Sequence, residues 1–178
     1  MLLKYKRGQP VTFVDGYNII NDWPELKELA AVDLEQARDK LVDQLTEYAH
    51  LNPGEVILVF DAYRVKGTDT TVIRGEDLTV VYTKEHQTAD HFIEEEVHGL
   101  PKSKEILVAS SDQTEQQLIL SRGGSRVSAR EFRLMVEGSK QSTLLQAKYL
   151  KREQRIHNRV EGESAGALWA LRDQLEEE

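Results

Sequence analysis

Val11-Thr-Phe-Val-Asp15-Gly-Tyr-Asn18-Ile-Ile20 decides the reading of this chain. Val11, Phe13 and Val14 make an apolar run of the kind that forms a buried strand, and the run delivers a carboxylate, a glycine and an amide at its C-terminal end. In open α/β sheets the carboxyl ends of the strands are where ligands bind. Asp15 is therefore expected at a strand tip, with Gly16 permitting a tight turn and Asn18 able to bond backbone or substrate. The same aspartate can equally cap the next turn. The choice rests on whether other carboxylates reach the same edge.

Working outward, Asn21-Asp-Trp-Pro24 reads as a loop, and Asp33 with Gln36 resembles a capping box. The helix it opens carries Leu34, Ala37, Leu41, Leu45 and Tyr48 as a stripe that packs on a sheet. Asn52-Pro-Gly54 breaks the chain before Glu55-Val-Ile-Leu-Val-Phe60, a second near-continuous apolar strand that ends in Asp61. Strand, helix and strand with full burial is the pattern of a parallel βαβ unit. Ala62 to Asp77 is polar and reads as a loop or weak hairpin, followed by a strand at Leu78–Thr83. Thr88 can cap a helix from Ala89 to His98 that turns Ile93 and Val97 inward and sets Asp90 and Glu94 together on another face. A strand at Glu105–Ala109 runs into Ser110-Ser-Asp112, then a helix from Gln113 to Leu120, a short strand at Ser125–Val127, and a helix from Ala129 to Val136 capped by Ser128. The fold class is α/β with a central, mainly parallel sheet.

Composition narrows the function. The 178 residues suffice for one well-buried domain with an appendage, and 39% hydrophobic with 30% charged residues is a soluble globular balance. No apolar run approaches the roughly 20 residues of a membrane span, and the opening Met-Leu-Leu-Lys-Tyr-Lys-Arg lacks the apolar centre of a signal peptide. Cysteine is absent, which removes disulfides and thiolate metal sites and fits a cytoplasmic location without a membrane partner. The net charge of −8 argues against a general polyanion binder, but its distribution does not. Residues 1–137 carry the α/β pattern, whereas 138–178 form a basic helical extension in which Lys148, Arg152, Arg155 and Arg159 recur at spacings of four, three and four on one helix face.

The strand ends now come together. One strand ends in Asp15, the next in Asp61, another in Ser-Ser-Asp112, and the helix after the Leu78 strand opens with Thr88-Ala-Asp90. If the strands are parallel, these acids converge on one sheet edge, where they repel one another unless a cation keeps them ionised. Hard oxygen donors without cysteine suit Mg²⁺ or Mn²⁺. Such a site performs phosphodiester cleavage, in which the metal activates a water and stabilises the leaving oxygen. Each acid also has an ordinary use: Asp61 and Asp112 as turn or helix caps, Asp90 as an early helix residue favoured by the macrodipole. Glu94, one turn beyond Asp90, is a ligand or a solvated face residue. Asn18, Thr88 and Ser110 are candidate substrate-positioning groups or local backbone partners. Gly162-Glu-Ser164-Ala-Gly166 matches a nucleophile elbow in letters only, since no strand precedes it and no histidine follows it. His91 and His98 lack the further ligands that zinc requires.

Val14-Asp-Gly-Tyr-Asn18-Ile-Ile, Phe60-Asp-Ala, Thr83-Lys-Glu-x-x-Thr-Ala-Asp90, Ser110-Ser-Asp112-x-x-Glu115-Gln and Ser128-Ala-Arg-Glu131-Phe together resemble the YacP-like NYN-domain family, a branch of the PIN-like nucleases. The resemblance spans Val11 into the basic helix; the tail after Glu161 matches no motif, and His91 stands where some relatives have an acid. It implies a three-layer α/β/α PIN-like fold and a metal-dependent endoribonuclease that, in ribosome-associated members, cleaves mRNA in the A site. The implied catalytic acids are Asp15, Asp90, Asp112 and Asp61; the implied metal ligands are Asp15, Asp90 and Asp112, to which the spacing on the helix adds Glu94. In that light Lys148, Arg152, Arg155 and Arg159 become contacts to RNA phosphates, with Arg64 and Lys66 guiding substrate near the cleft. The rival expectation is a non-catalytic RNA- or ribosome-binding module that keeps the fold.

Overall fold

The computed structural model describes residues 2–61, 69–111, 123–145 and 148. The strands are β1 (Val11–Asp15), β2 (Glu55–Phe60), β3 (Thr71–Arg74), β4 (Leu78–Tyr82), β5 (Ile106–Ala109) and β6 (Ser125–Val127), joined in one sheet of order β3-β4-β2-β1-β5-β6. All pairings are parallel except β3 with β4. The helices are α1 (Gly16–Asp22), α2 (Pro24–Val32), α3 (Leu34–Leu51), α4 (Ala89–Gly99) and α5, which starts at 129. The chain divides into two compact units, Met1–Ser139 and Lys140–Glu178. Within the second unit, 140–145 and 148 are helical. Among the described residues no helix is long and apolar enough to cross a membrane.

Alternation along the strands separates two cores. Val14, Val56, Leu58, Phe60, Val80 and Ala109 pack with Trp23 and Leu26, with Leu41 and Leu45 of α3, and with Phe132 of α5 on one face. Val11, Phe13, Ile57, Val59, Val81 and Val108 pack with Phe92, Ile93 and Val97 of α4 on the other. The result is three layers, helix on sheet on helix, because successive strand side chains point to opposite faces and both faces are apolar.

The topology fixes where a ligand can enter. From β1 the chain crosses through α1–α3 to β2 and outward to β4; α4 then carries it back across the sheet to β5 on the other side of β1. With a constant crossover hand, that reversal places α3 and α4 on opposite faces and opens a crevice at the C-terminal ends of β1 and β5. Asp15 is the last residue of β1 and stands at that crevice.

Two local expectations are corrected, and of the loop or weak hairpin expected over Ala62 to Asp77 the described residues form the hairpin with β4. Asn21-Asp-Trp-Pro24 is not a loop: Asn21 and Asp22 finish α1, Trp23 ends one helix and starts the next, and Pro24 opens α2. Proline is tolerated at that first position because its missing N–H would have no intrahelical partner. Within the polar stretch from Ala62 to Asp77, Thr71–Arg74 forms a strand antiparallel to β4. Gly16 is not the pivot of a tight turn but the first residue of α1, and its need for glycine is steric. A Cβ there would stand 2.9 Å from Phe60 Cζ and closer still to Cε1 and Cδ1 of the same ring.

Gly16→Ala is therefore expected to lower stability by about 1–3 kcal/mol, the usual cost of overpacking a close-packed interior. Urea unfolding of the variant against the parent protein measures it, and equal midpoints would show that the Phe60 ring yields freely.

Candidate carboxylate site

The end of β1 runs directly into α1, so Asp15 is both the strand tip and the N-cap of that helix. Its Oδ1 accepts from the backbone N–H of Asn18 at 3.0 Å. The cap expectation for Asp15 is thus realised, and it occupies one carboxylate oxygen. Only 9% of the residue is exposed. Asp90, in the first turn of α4, lies within reach of a shared proton with Asp15, and Asp61 beyond β2 adds its negative charge. Burial first, then the two like charges, push the Asp15 carboxyl up to about 7, against the opposing effect of the Asn18 N–H.

Asp61 repeats the pattern. Its Oδ1 accepts from the backbone N–H of Ala89, so the tip of β2 holds the N-terminus of α4. Burial and the charge of Asp90 raise its carboxyl, while the Ala89 N–H lowers it. Thr88 caps the same helix end, accepting from the His91 N–H at 3.2 Å. Two side chains thereby fix α4 so that Asp90 enters the crevice.

Asn18 ties the third strand end to the first. Its Oδ1 accepts from the backbone N–H of Ser111 at 3.1 Å, across the crevice from β1 to the segment after β5. Ser110 is fully buried, and its backbone N–H donates to Val127 of β6. Ser111 and Trp23 are contributors that sequence reasoning missed. The Ser111 hydroxyl accepts from the Ala129 N–H at 3.4 Å, and the Trp23 indole N–H donates to the Ala129 carbonyl at 2.9 Å, which docks the start of α5 behind the site. A fully buried tryptophan needs a partner for its N–H, and that requirement was the available signal.

The structure brings Asp15, Asp61 and Asp90 together, with Asn18 and Thr88 bound to the elements that position them. Glu94 is half-buried one turn along α4 and is not among the groups that perturb Asp15 or Asp61. Asp112, Arg64, Lys66, Arg152, Arg155 and Arg159, and the helix expected from Gln113 to Leu120, lie outside the described residues; Lys148 is exposed in the second unit.

A hard divalent cation fits this donor set on one observation above others: Asp90 Oδ1 is buried and has no hydrogen-bond partner among the described residues. A buried carboxylate oxygen left without a donor is costly, and a cation removes the cost. Among the described residues no group of three or more aspartates, glutamates, histidines or cysteines is placed to hold a metal ion by itself.

The chain matches the family described as the YacP-like NYN domain over residues 12–173. A Bacillus subtilis (strain 168) protein described as "uncharacterized protein YacP" is 43% identical over 128 residues, which is 71% of this chain and 75% of that protein. A crystal structure of Rae1 (YacP) from Bacillus subtilis superposes with a TM-score of 0.67 at 36% identity, covering 87% of this chain and 89% of that one. For a crystal structure of a mutant of the same protein the TM-score is 0.63 at 36% identity, covering 79% and 82%.

The raised Asp15 carboxyl predicts an inverted pH profile for the metal-free protein. The folded state retains a proton that the unfolded chain releases near pH 4, so the contribution of Asp15 to stability is fully present below that value and is lost as pH rises through about 7. Thermal melts in a chelator between pH 5 and 7.5 are expected to show the fall, and Asp15→Asn, which keeps an oxygen for the Asn18 N–H, to reduce it. A profile that is the same in both proteins would refute the shift.

Proposed function

The chain belongs to the YacP-like NYN domain family, a nuclease-type fold, and from that membership we propose that it is a divalent-metal-dependent endoribonuclease that hydrolyses RNA phosphodiester bonds, cleaving mRNA in association with the ribosome. The observation that carries the reading is the convergence of Asp15, Asp61 and Asp90 at the topological switch point, with one Asp90 oxygen buried and unpartnered among the described residues.

Asp15 and Asp90, joined by Asp112 from the segment after β5, would hold Mg²⁺ or Mn²⁺, with Glu94 as the additional oxygen on α4. An ion bound there would supply the positive charge that keeps these carboxyls ionised and the Lewis acidity that phosphodiester hydrolysis uses. The chain's own residues do the rest. The Asn18 N–H holds the Asp15 carboxylate in one rotamer, and the Asn18 amide anchors the backbone at Ser111, so the two strand ends keep their spacing without rearrangement. Asp61 keeps Oδ1 on the Ala89 N–H and has Oδ2 left to accept a proton from the attacking water. Ser110, fully buried at the end of β5, would support substrate positioning from beneath the site. RNA would be held through phosphate contacts to Lys148, Arg152, Arg155 and Arg159, and Arg64 and Lys66, which follow Asp61 in sequence, would guide the substrate. The compartment is the cytoplasm, where translating ribosomes supply the mRNA.

Asp15→Asn and Asp90→Asn are expected to lower Mg²⁺- or Mn²⁺-dependent cleavage by at least about a hundredfold while RNA binding persists. Ribosomes, translated mRNA and purified protein make the assay. Cleavage by the variants at the parent rate would leave a non-catalytic RNA- or ribosome-binding module as the better reading. Replacing Lys148, Arg152, Arg155 and Arg159 with glutamate is expected to shift the chain from the ribosome pellet to the supernatant at progressively lower salt. An unchanged partition would remove those four residues from the interface.

A further inference from the structure

Beside the carboxylates lies a second concave feature that the cleavage chemistry leaves unused. A cavity of about 450 Å³ opens between α1, α2 and the start of α3, and one of its walls is Asp61. Its volume lies in the range that encloses small organic ligands, well above what one water or ion needs. The remaining lining divides by chemistry. Ala30, Ala31 and Leu34 give an apolar floor, Tyr17 gives a half-buried ring, and Asn21 and Lys27 give an exposed amide and an exposed ammonium.

Tyr17 is held as a platform. Its ring packs against Phe60 at 5.2 Å between centroids, and Phe60 stacks on Tyr82 at 5.5 Å. Arg38 Nη1 reaches the Tyr17 hydroxyl at 3.5 Å from α3. Three aromatic rings in series, with the outermost bordering a cavity, present a flat surface whose rotamer is already fixed, so a planar ligand stacks on it with little loss of side-chain freedom.

We infer that this cavity is a nucleobase subsite, which receives an unpaired base of the RNA next to the scissile phosphate. The inference rests on the endoribonuclease reading for its substrate and adds to it where the neighbouring base goes. Asp61 borders both the cavity and the carboxylate crevice, so the base that adjoins a phosphate held at the crevice is the part of the RNA that would meet the cavity. The ring of Tyr17 and the floor of Ala30, Ala31 and Leu34 take the faces of the base. Asn21 offers both a donor and acceptor to its edge, and Lys27 offers a cation to a flanking phosphate in a protein whose net charge is −8. A base in a duplex cannot leave its stack to enter such a cavity without losing pairing energy, so the subsite selects single-stranded RNA.

The test uses the full chain with methyl-labelled alanine and leucine, titrated in a chelator with each of the four ribonucleoside 5′-monophosphates and, separately, with ribose 5-phosphate. The Ala30, Ala31 and Leu34 methyl signals are expected to move saturably with at least one nucleotide, with an affinity at least about tenfold above that for ribose 5-phosphate, the worth of one stacked base. Ala31→Phe, a substitution at an exposed helix position that fills the cavity, should abolish the shifts and raise KM for a single-stranded RNA about tenfold. Asn21→Ala should alter the rank order of the four nucleotides and serves as the second variant if Ala31→Phe perturbs the fold. Equal affinity for ribose 5-phosphate, or nucleotide binding unchanged in both variants, overturns the subsite. Binding needs neither metal nor cleavage, so the two readings fail separately: nucleotides that bind to a protein without nuclease activity sink only the enzyme, and an active nuclease whose cavity ignores nucleotides sinks only the subsite.

Discussion

The structure depends on a carboxyl group held out of water beside two others. Asp15 has lost most of its solvent and faces Asp61 and Asp90, and each of these facts alone disfavours its charge. What opposes them among the described residues is a backbone N–H from Asn18. One such bond does not offset burial and two like charges, which is why the group holds its proton toward neutrality. The arrangement is unfavourable as a cluster of anions, and that is the physical content of the site.

Holding the acids together takes connections that run between elements. Asp61 joins β2 to α4 through the Ala89 N–H, Asn18 joins α1 to the segment after β5, and Trp23 and Ser111 fasten α5 at Ala129. Three of these links use a backbone N–H at the start of a helix or the end of a strand, where intrahelical or ladder partners have run out, and the fourth takes the Ala129 carbonyl. Strand tips and helix starts are thus tied in pairs around the crevice, and the carboxylates lie on those ties. Loops would place the same residues with less precision.

Much of this was legible in the sequence, for identifiable reasons. The strands at Val11 and Glu55 announce themselves by near-continuous apolar runs, which a doubly covered parallel sheet requires, and each run points at the acid that follows it. The stripe of Leu34, Ala37, Leu41 and Leu45 gave α3 for the same reason, and Thr88 marked the start of α4. The helix α1 was not legible, because its seven residues are too few to show a period and its buried Ile19 and Ile20 are adjacent. The reason for glycine at position 16 was out of reach altogether. It lies in the ring of Phe60, far along the chain, and no local pattern reports a contact of that range. The link from Asp61 to Ala89 was hidden in the same way: either residue alone reads as ordinary turn or helix chemistry.

Capping and ligation, set against each other when the acids are considered singly, need not exclude each other, because a cap leaves one carboxylate oxygen uncommitted. An ionised carboxyl has two oxygens and about four acceptor positions. For Asp15 and Asp61 the Oδ1 atom is committed to a backbone N–H, and that commitment fixes the rotamer that aims the remaining oxygen. An acid without a cap would have to lose rotamer freedom on meeting its ligand, at a cost of about 0.5–1.5 kcal/mol for each ordered side chain. The caps discharge that cost during folding, when it is shared with helix formation. An aspartate that caps a helix at a strand tip is therefore better prepared to bind a cation than one that does nothing else.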